Sequence, residues 1–134
     1  MIETTHHNQY IGHEAEQLVS RELEKCGWSV SFDNNFYDLR ATKGDETILI
    51  EVKCASFVVK NGGGVTRYGR FDFTNKKNTQ AQRRENVYIC FVVHVGDNFE
   101  ILGLIKARTL KVKRYVNLSD VMTKNRLKNL KTLF

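Results

Sequence analysis

The Gly44-Asp45 pair, with an alternating run on either side, constrains this chain more than any other feature. Phe36 to Thr42 and Thr47 to Cys54 alternate like half-buried strands, and a Gly-Asp tip between such runs is a short-range hairpin signal. A turn centred on Gly44-Asp45 sets Thr42 opposite Thr47, and counting outward brings Asp38 opposite Glu51. Lys53 lies on the face of Glu51, one step beyond it, because side chains alternate with period two. Leu39, Ala41, Ile48, Ile50, Val52 and Cys54 make the opposite, apolar face. Two carboxylates with Cβ atoms about 5 Å apart repel one another. A divalent cation with oxygen ligands supplies the compensating charge. A slip of one residue would send the acids to opposite faces, so the reading depends on the register. Three solvated charges on the wet face of an ordinary sheet are the competing reading.

Upstream, Ile11, Ala15, Leu18, Val19 and Leu23 recur at helical spacing from about Gln9 to Cys26, and Gly27 is a C′ stop. Glu16 falls at the edge of that apolar stripe, where a plain surface glutamate would also fit. Trp28 to Phe32 is a first strand and Asp33-Asn34-Asn35 a turn. Beyond the hairpin, Lys60 to Arg70 holds Gly62, Gly63 and Gly64 among basic residues, a loop too flexible to keep one shape unaided. Its spacing is not that of a P-loop, so no nucleotide cofactor is expected. Phe71 to Thr74 is a short strand, and a polar helix follows over about Lys76 to Arg84. Val87 to Val93 is almost continuously hydrophobic and reads as the central strand, buried on both faces. Gly96-Asp97-Asn98 turns it into Phe99 to Ile105, and Leu118-Ser119-Asp120 opens a final helix carrying Val121, Met122, Leu127, Leu130 and Leu133. Residues 1–134 are expected to form a single domain.

The ordered set of a helix with Glu16, a glycine turn, a strand, Asp38, a hairpin and Glu51-Val52-Lys53 resembles the core of the PD-(D/E)XK nuclease superfamily. The likeness runs from Gly12 to Lys53 and takes in archaeal Holliday-junction resolvases and small homing or restriction endonucleases. Tyr37 stands where the motif's name has proline, and residues 1 to 11 lack the Lys and Arg that resolvases carry before the first helix. The resemblance implies an α/β fold, restriction-endonuclease-like, with a mixed central β-sheet flanked by helices. It implies a metal-dependent endonuclease hydrolysing DNA phosphodiester bonds, of structure-selective (Holliday-junction) or restriction/homing type, with Mg²⁺ or Mn²⁺ as cofactor. Asp38, Glu51, Glu16 and the Val52 carbonyl would hold the metal, and Lys53 would complete the catalytic set with Asp38, Glu51 and Glu16. Related nucleases often place a glutamine or lysine near the scissile phosphate from a helix in this region, which makes Gln80 and Gln82 candidates. One site per chain implies a homodimer for cutting both strands.

Charge supports a polyanionic partner. The net charge is +6, and most acids lie before residue 52 while bases dominate after it. Lys60, Arg67, Arg70, Lys76, Lys77 and Arg83 cluster around the glycine loop and polar helix, with Tyr68 placed to stack or wedge. DNA is the expected partner, with RNA left open. The alternative is a non-catalytic nucleic-acid-binding module with a nuclease-like fold, whose bases grip phosphate while its acids do nothing. A third reading is a protein-interaction subunit built on the C-terminal leucines. No apolar run approaches the ~20 residues that span a bilayer, so no membrane partner is expected. Cys26, Cys54 and Cys90 are scattered, without metal-ligand spacing, and read as reduced thiols of an intracellular, cytoplasmic protein.

Overall fold

The structure is a computed structural model that describes residues 2–33, 37–60, 66–73, 86–110, 115–123 and 127–130. Helix α1 (Ile2–Lys25) opens the chain. Ala15, Val19 and Leu23, spaced four apart, are wholly buried and hold it against the sheet. It ends as the sequence predicts. Gly27 adopts φ 94°, its N–H donates to the Glu24 carbonyl at 3.0 Å, and the Trp28 N–H donates to Leu23 at 3.1 Å. These two bonds satisfy carbonyls that the last helical turn leaves open, and buried Leu23 and Trp28 join the same core. The helix begins well before Gln9, where the apolar periodicity first becomes legible.

Five strands form the main sheet in the order β1-β2-β3-β7-β8: β1 (Ser29–Phe32), β2 (Leu39–Lys43), β3 (Glu46–Ser56), β7 (Val87–Val95) and β8 (Asn98–Lys106). The first three are an antiparallel meander, β3 and β7 run parallel, and β7 and β8 close antiparallel. The sheet is therefore mixed, as expected. Thr42 pairs with Thr47 and Leu39 with Ile50, which is the register that the Gly44-Asp45 turn predicts. Residues Val87 to Val93 are buried without interruption, as a strand covered on both faces requires. The middle position, however, belongs to β3; β7 lies one place further over.

The two faces of the sheet carry separate cores. Leu39, Ala41, Ile48, Ile50, Tyr88, Cys90 and Val92 pack under α1. Leu49, Ala55, Val87, Ile89, Phe91 and Val93 pack on the other side against Phe71, Phe73, Val116, Leu118 and Val121. The second cover is made of small pieces: the ribbon of β6 (Arg70–Asp72) with β9 (Tyr115–Asn117), a 3-10 turn at Ala107–Thr109, and α2 (Leu118–Thr123). Phe71 meets Phe91 with ring centroids 4.7 Å apart, which anchors the ribbon to the sheet.

Two expectations change. Part of the segment expected as a shapeless loop is regular, because β4 (Val58–Lys60) pairs antiparallel with β5 (Thr66–Tyr68). β-branched Val58, Val59 and Thr66 favour that pairing, while the three glycines lie outside the described residues. Nor do the described residues form one long C-terminal helix: α2 is described over Leu118–Thr123, and Lys128 bridges to Leu104 through N–H···O bonds of 2.7 and 2.9 Å. Leu127 and Leu130, on either side of the bridged Lys128, therefore fill opposite cores rather than sharing one helix face. The polar helix expected over Lys76 to Arg84 lies outside the described residues.

Gly69 joins β5 to β6 where no side chain fits. A Cβ there would stand 2.0 Å from the Ser56 carbonyl oxygen. Gly69→Ala should cost about 3 kcal/mol, read from urea denaturation. Gly96→Ala, with φ 59° and nothing within 4 Å of the added carbon, should cost only about 1 kcal/mol. Equal losses would contradict this account of Gly69.

Candidate active site

Asp38 lies one residue before β2, just beyond the Leu39–Ile50 pair that ends the ladder. Its N–H still donates to the Ile50 carbonyl at 3.0 Å, so the ladder reaches it, and then the strand ends. At the next rung Asp38 Oδ2 takes the place of a backbone acceptor and receives the Val52 N–H at 2.7 Å. That bond fixes the carboxylate at the edge of β3. The N–H and C=O of a strand residue point to the same side, so the Val52 carbonyl is directed to this edge as well.

Glu51 is one of two buried polar residues among those described, 7% exposed, on a face otherwise given to Leu49, Ala55, Ile89 and Phe91. Lys53 answers its charge, with Nζ 3.2 Å from Glu51 Oε1. The same ammonium donates to the Asp72 carbonyl at 2.9 Å and lies over the Phe73 ring, 4.7 Å from its centroid. A carboxylate, a carbonyl and an aromatic face thus hold the lysine head in one place. β3 supplies Glu51 and Lys53 from one face by strand alternation, and β6 supplies the carbonyl that positions the lysine.

Glu16 reaches the cluster from α1. Burial, and then the charge of Asp38, push its pKa from 4.5 up to about 7. Asp38 rises from 3.8 to about 6, chiefly through burial; the Val52 N–H and Lys53 oppose the rise and Glu51 adds to it. Both acids are held in surroundings poor in compensating positive charge.

Among the described residues no three His, Cys, Asp or Glu side chains form a ready-made metal cage. The donors present nevertheless suit a hard divalent cation. They are all oxygen, two of the three acids hold their protons abnormally tightly, and a main-chain carbonyl faces the same edge. A cation would relieve the penalty that raises those pKa values. Asp38, Glu51, Glu16 and Val52 are the residues that would hold it.

The other candidates separate. Lys60 and Arg67 take strand positions in β4 and β5. Tyr68 is exposed and meets Phe57 edge-on at 5.5 Å. Arg70, exposed on β6, lays its guanidinium 4.0 Å from the centre of the Tyr115 ring. Lys76, Lys77, Gln80, Gln82 and Arg83 lie outside the described residues. Sequence reasoning missed Asp72 and Phe73 as the seat of Lys53, and Tyr115 as the support of Arg70. Alternation around Asp72 marked a strand, but nothing local marked what that strand would meet.

No protein-family model matches the chain, and no curated protein matches it in sequence. A solved structure does match: the bacterial homing endonuclease I-Ssp6803I superposes with a TM-score of 0.57 over 91% of this chain and 84% of that one, at 17% identity. The two share a fold. The likeness lies in architecture, an α/β arrangement around a mixed sheet, and it spans nearly the whole chain.

The raised acids make the metal-free protein sensitive to pH in a defined direction. Both bind their proton more tightly folded than unfolded, so their contribution to stability is complete below pH 3.8 and is lost as pH rises through about 7. Thermal melts in chelator should show the melting temperature falling between pH 5 and pH 7.5, and Glu16→Gln should flatten the upper part of that fall. An unchanged slope in the variant would remove Glu16 from the account.

Proposed function

We propose that the chain is a metal-dependent endonuclease that hydrolyses DNA phosphodiester bonds. The observation that carries this reading is the convergence of Asp38, Glu51 and Lys53 on one edge of β3, with Lys53 Nζ 3.2 Å from Glu51. The fold shared with a bacterial homing endonuclease supports it, as does the net charge of +6. So does the ordered likeness of Glu16, Asp38 and Glu51-Val52-Lys53 to PD-(D/E)XK nucleases.

Mg²⁺ or Mn²⁺, when bound, supplies Lewis-acid polarisation and neutralises charge on the phosphate. The residues of the chain do the rest. Asp38 and Glu51 hold the oxygen donors in a fixed frame, one tied to a backbone N–H and the other packed into the core. Lys53, pinned by the Asp72 carbonyl and the Phe73 ring, presents its ammonium to orient the attacking water and to stabilise negative charge developing on the phosphate. Glu16 adds a carboxylate from the helix side.

Each chain contributes one such cluster among its described residues, so a double-strand break calls for two copies, and a homodimer is the proposed assembly. Between structure-selective and restriction- or homing-type cleavage, the shared fold favours the second. An intracellular, reducing location accords with the thiols: burial pushes Cys54 up to about 12 and raises Cys90 as well, so neither is disposed to oxidise. The alternative, a binding module without catalysis, gives no use to acids that repel phosphate and leaves the Lys53–Glu51 pair unexplained.

Supercoiled plasmid should be nicked in Mg²⁺ or Mn²⁺ and left intact in chelator. Glu51→Gln and Lys53→Met should each lower the rate by about a hundredfold or more while retaining affinity for the DNA. Binding by the wild type without cleavage in either metal would favour the module. Full activity in Glu51→Gln would refute the assigned site.

A further inference from the structure

The β6–β9 ribbon has two unlike faces. Phe71 and Val116 are directly paired and turn inward, at 0% and 8% exposure. Arg70, Asp72, Tyr115 and Asn117 turn outward, with Arg70 paired to Asn117 and Asp72 to Tyr115. Across the diagonal of this small outer face the Arg70 guanidinium stacks on Tyr115 at 4.0 Å. A recess of about 380 Å³ continues the surface, lined by Tyr68, Gly69, Arg70, Asn117 and Ser119.

We propose that this ribbon enters a groove of the DNA and reads base edges, with Arg70 and Asn117 as specificity-determining residues. Three observations carry the proposal. A two-stranded antiparallel ribbon matches the width of the major groove, and arginine and asparagine are the side chains that pair bidentately with guanine and adenine there. Stacking on Tyr115 restrains the guanidinium, as an in-plane bidentate pair with a base requires. The ribbon is also tied to the proposed cutting site, because the Asp72 carbonyl that accepts from Lys53 belongs to it. A duplex laid across the Asp38–Glu51 edge would therefore meet this face close to the cut. Asp72 on the same face is a further sign of base readout, since an acid opposes phosphate but can accept from the amino group of cytosine.

The ribbon is rigid enough for the task. Phe71 packs on Phe91, the Leu118 N–H donates to the Gly69 carbonyl at 3.1 Å, and Gly69 lies against the Ser56 backbone. A reading element must keep its side chains in register with the bases, and these contacts fix β6 at its start and its middle.

This inference rests on the nuclease reading, and the test separates the two. A duplex library with a randomised core is bound by Glu51→Gln protein, which holds cutting off, and the bound fraction is sequenced. The same selection follows with Asn117→Ala, Arg70→Ala, Tyr115→Ala and Tyr115→Phe added singly, each checked by thermal melting. A motif should emerge with the parent protein. Asn117→Ala and Arg70→Ala should each erase preference at their own position, by between about fivefold and a hundredfold, and leave the rest of the motif intact. Tyr115→Ala should blur the position read by Arg70, and Tyr115→Phe, which keeps the ring, should restore it. The proposal is overturned if the motif survives all four changes. It is equally overturned if Arg70→Ala weakens every sequence alike and lowers the salt slope by about one, the mark of a phosphate contact. Plasmid nicking by the wild type with no motif would sink the ribbon proposal alone; neither nicking nor binding would sink both.

Discussion

The hydrogen bond from the Val52 N–H to Asp38 Oδ2 is the contact on which the proposed chemistry depends. It exists because β2 begins at Leu39, two residues short of the position that would pair with Val52, so a side chain completes the ladder. Without a partner the N–H would be an unmet donor next to a core, which typically costs about 1–3 kcal/mol. Meeting that need with a carboxylate does two things at once. It satisfies the sheet, and it holds a negative group beside Glu51, where burial and repulsion strain it. The strand end and the site are one structural event.

The same economy of position governs Lys53. A lysine among buried Phe91, Phe71 and Ala55 would be a poor choice for packing alone. Its charge is met by Glu51 and a further donor by a main-chain carbonyl, while the Phe73 face lies under the ammonium. A half-buried ion pair of this kind is weak evidence for stability, because desolvation offsets much of the attraction. The arrangement makes more sense as preorganisation: a cation and two acids kept in fixed relation before any substrate arrives.

How much was legible beforehand follows from the range of each interaction. The Gly44-Asp45 turn and the alternation around it specify register locally, so Thr42 against Thr47, and on to Leu39 against Ile50, could be counted from sequence. The Schellman stop at Gly27 was legible for the same reason. What escaped is non-local. Nothing near Arg70 announces Tyr115, and nothing near Leu104 announces Lys128, because those pairings join segments with no turn between them. The C-terminal leucines misled for a related reason: Leu127 and Leu130 have helical spacing, yet one belongs to each core. Hydrophobic periodicity says that residues are buried, not from which backbone. Val87 to Val93 gave burial correctly but not place, since the middle of a sheet and the position beside it look alike in one sequence.

The bridge between Leu104 and Lys128 has a consequence for how copies of this chain can meet. β8 is an outer strand, and an outer strand offers a row of open donors and acceptors to any neighbour. Here that row is broken: a bulge displaces Leu102, Gly103 at φ 145° lies close to Leu127, and both main-chain groups of Leu104 are already taken. A continuous ladder between two copies cannot form along this side. Self-association by sheet extension is thereby disfavoured, and side chains rather than backbones would have to join one molecule to another at β8.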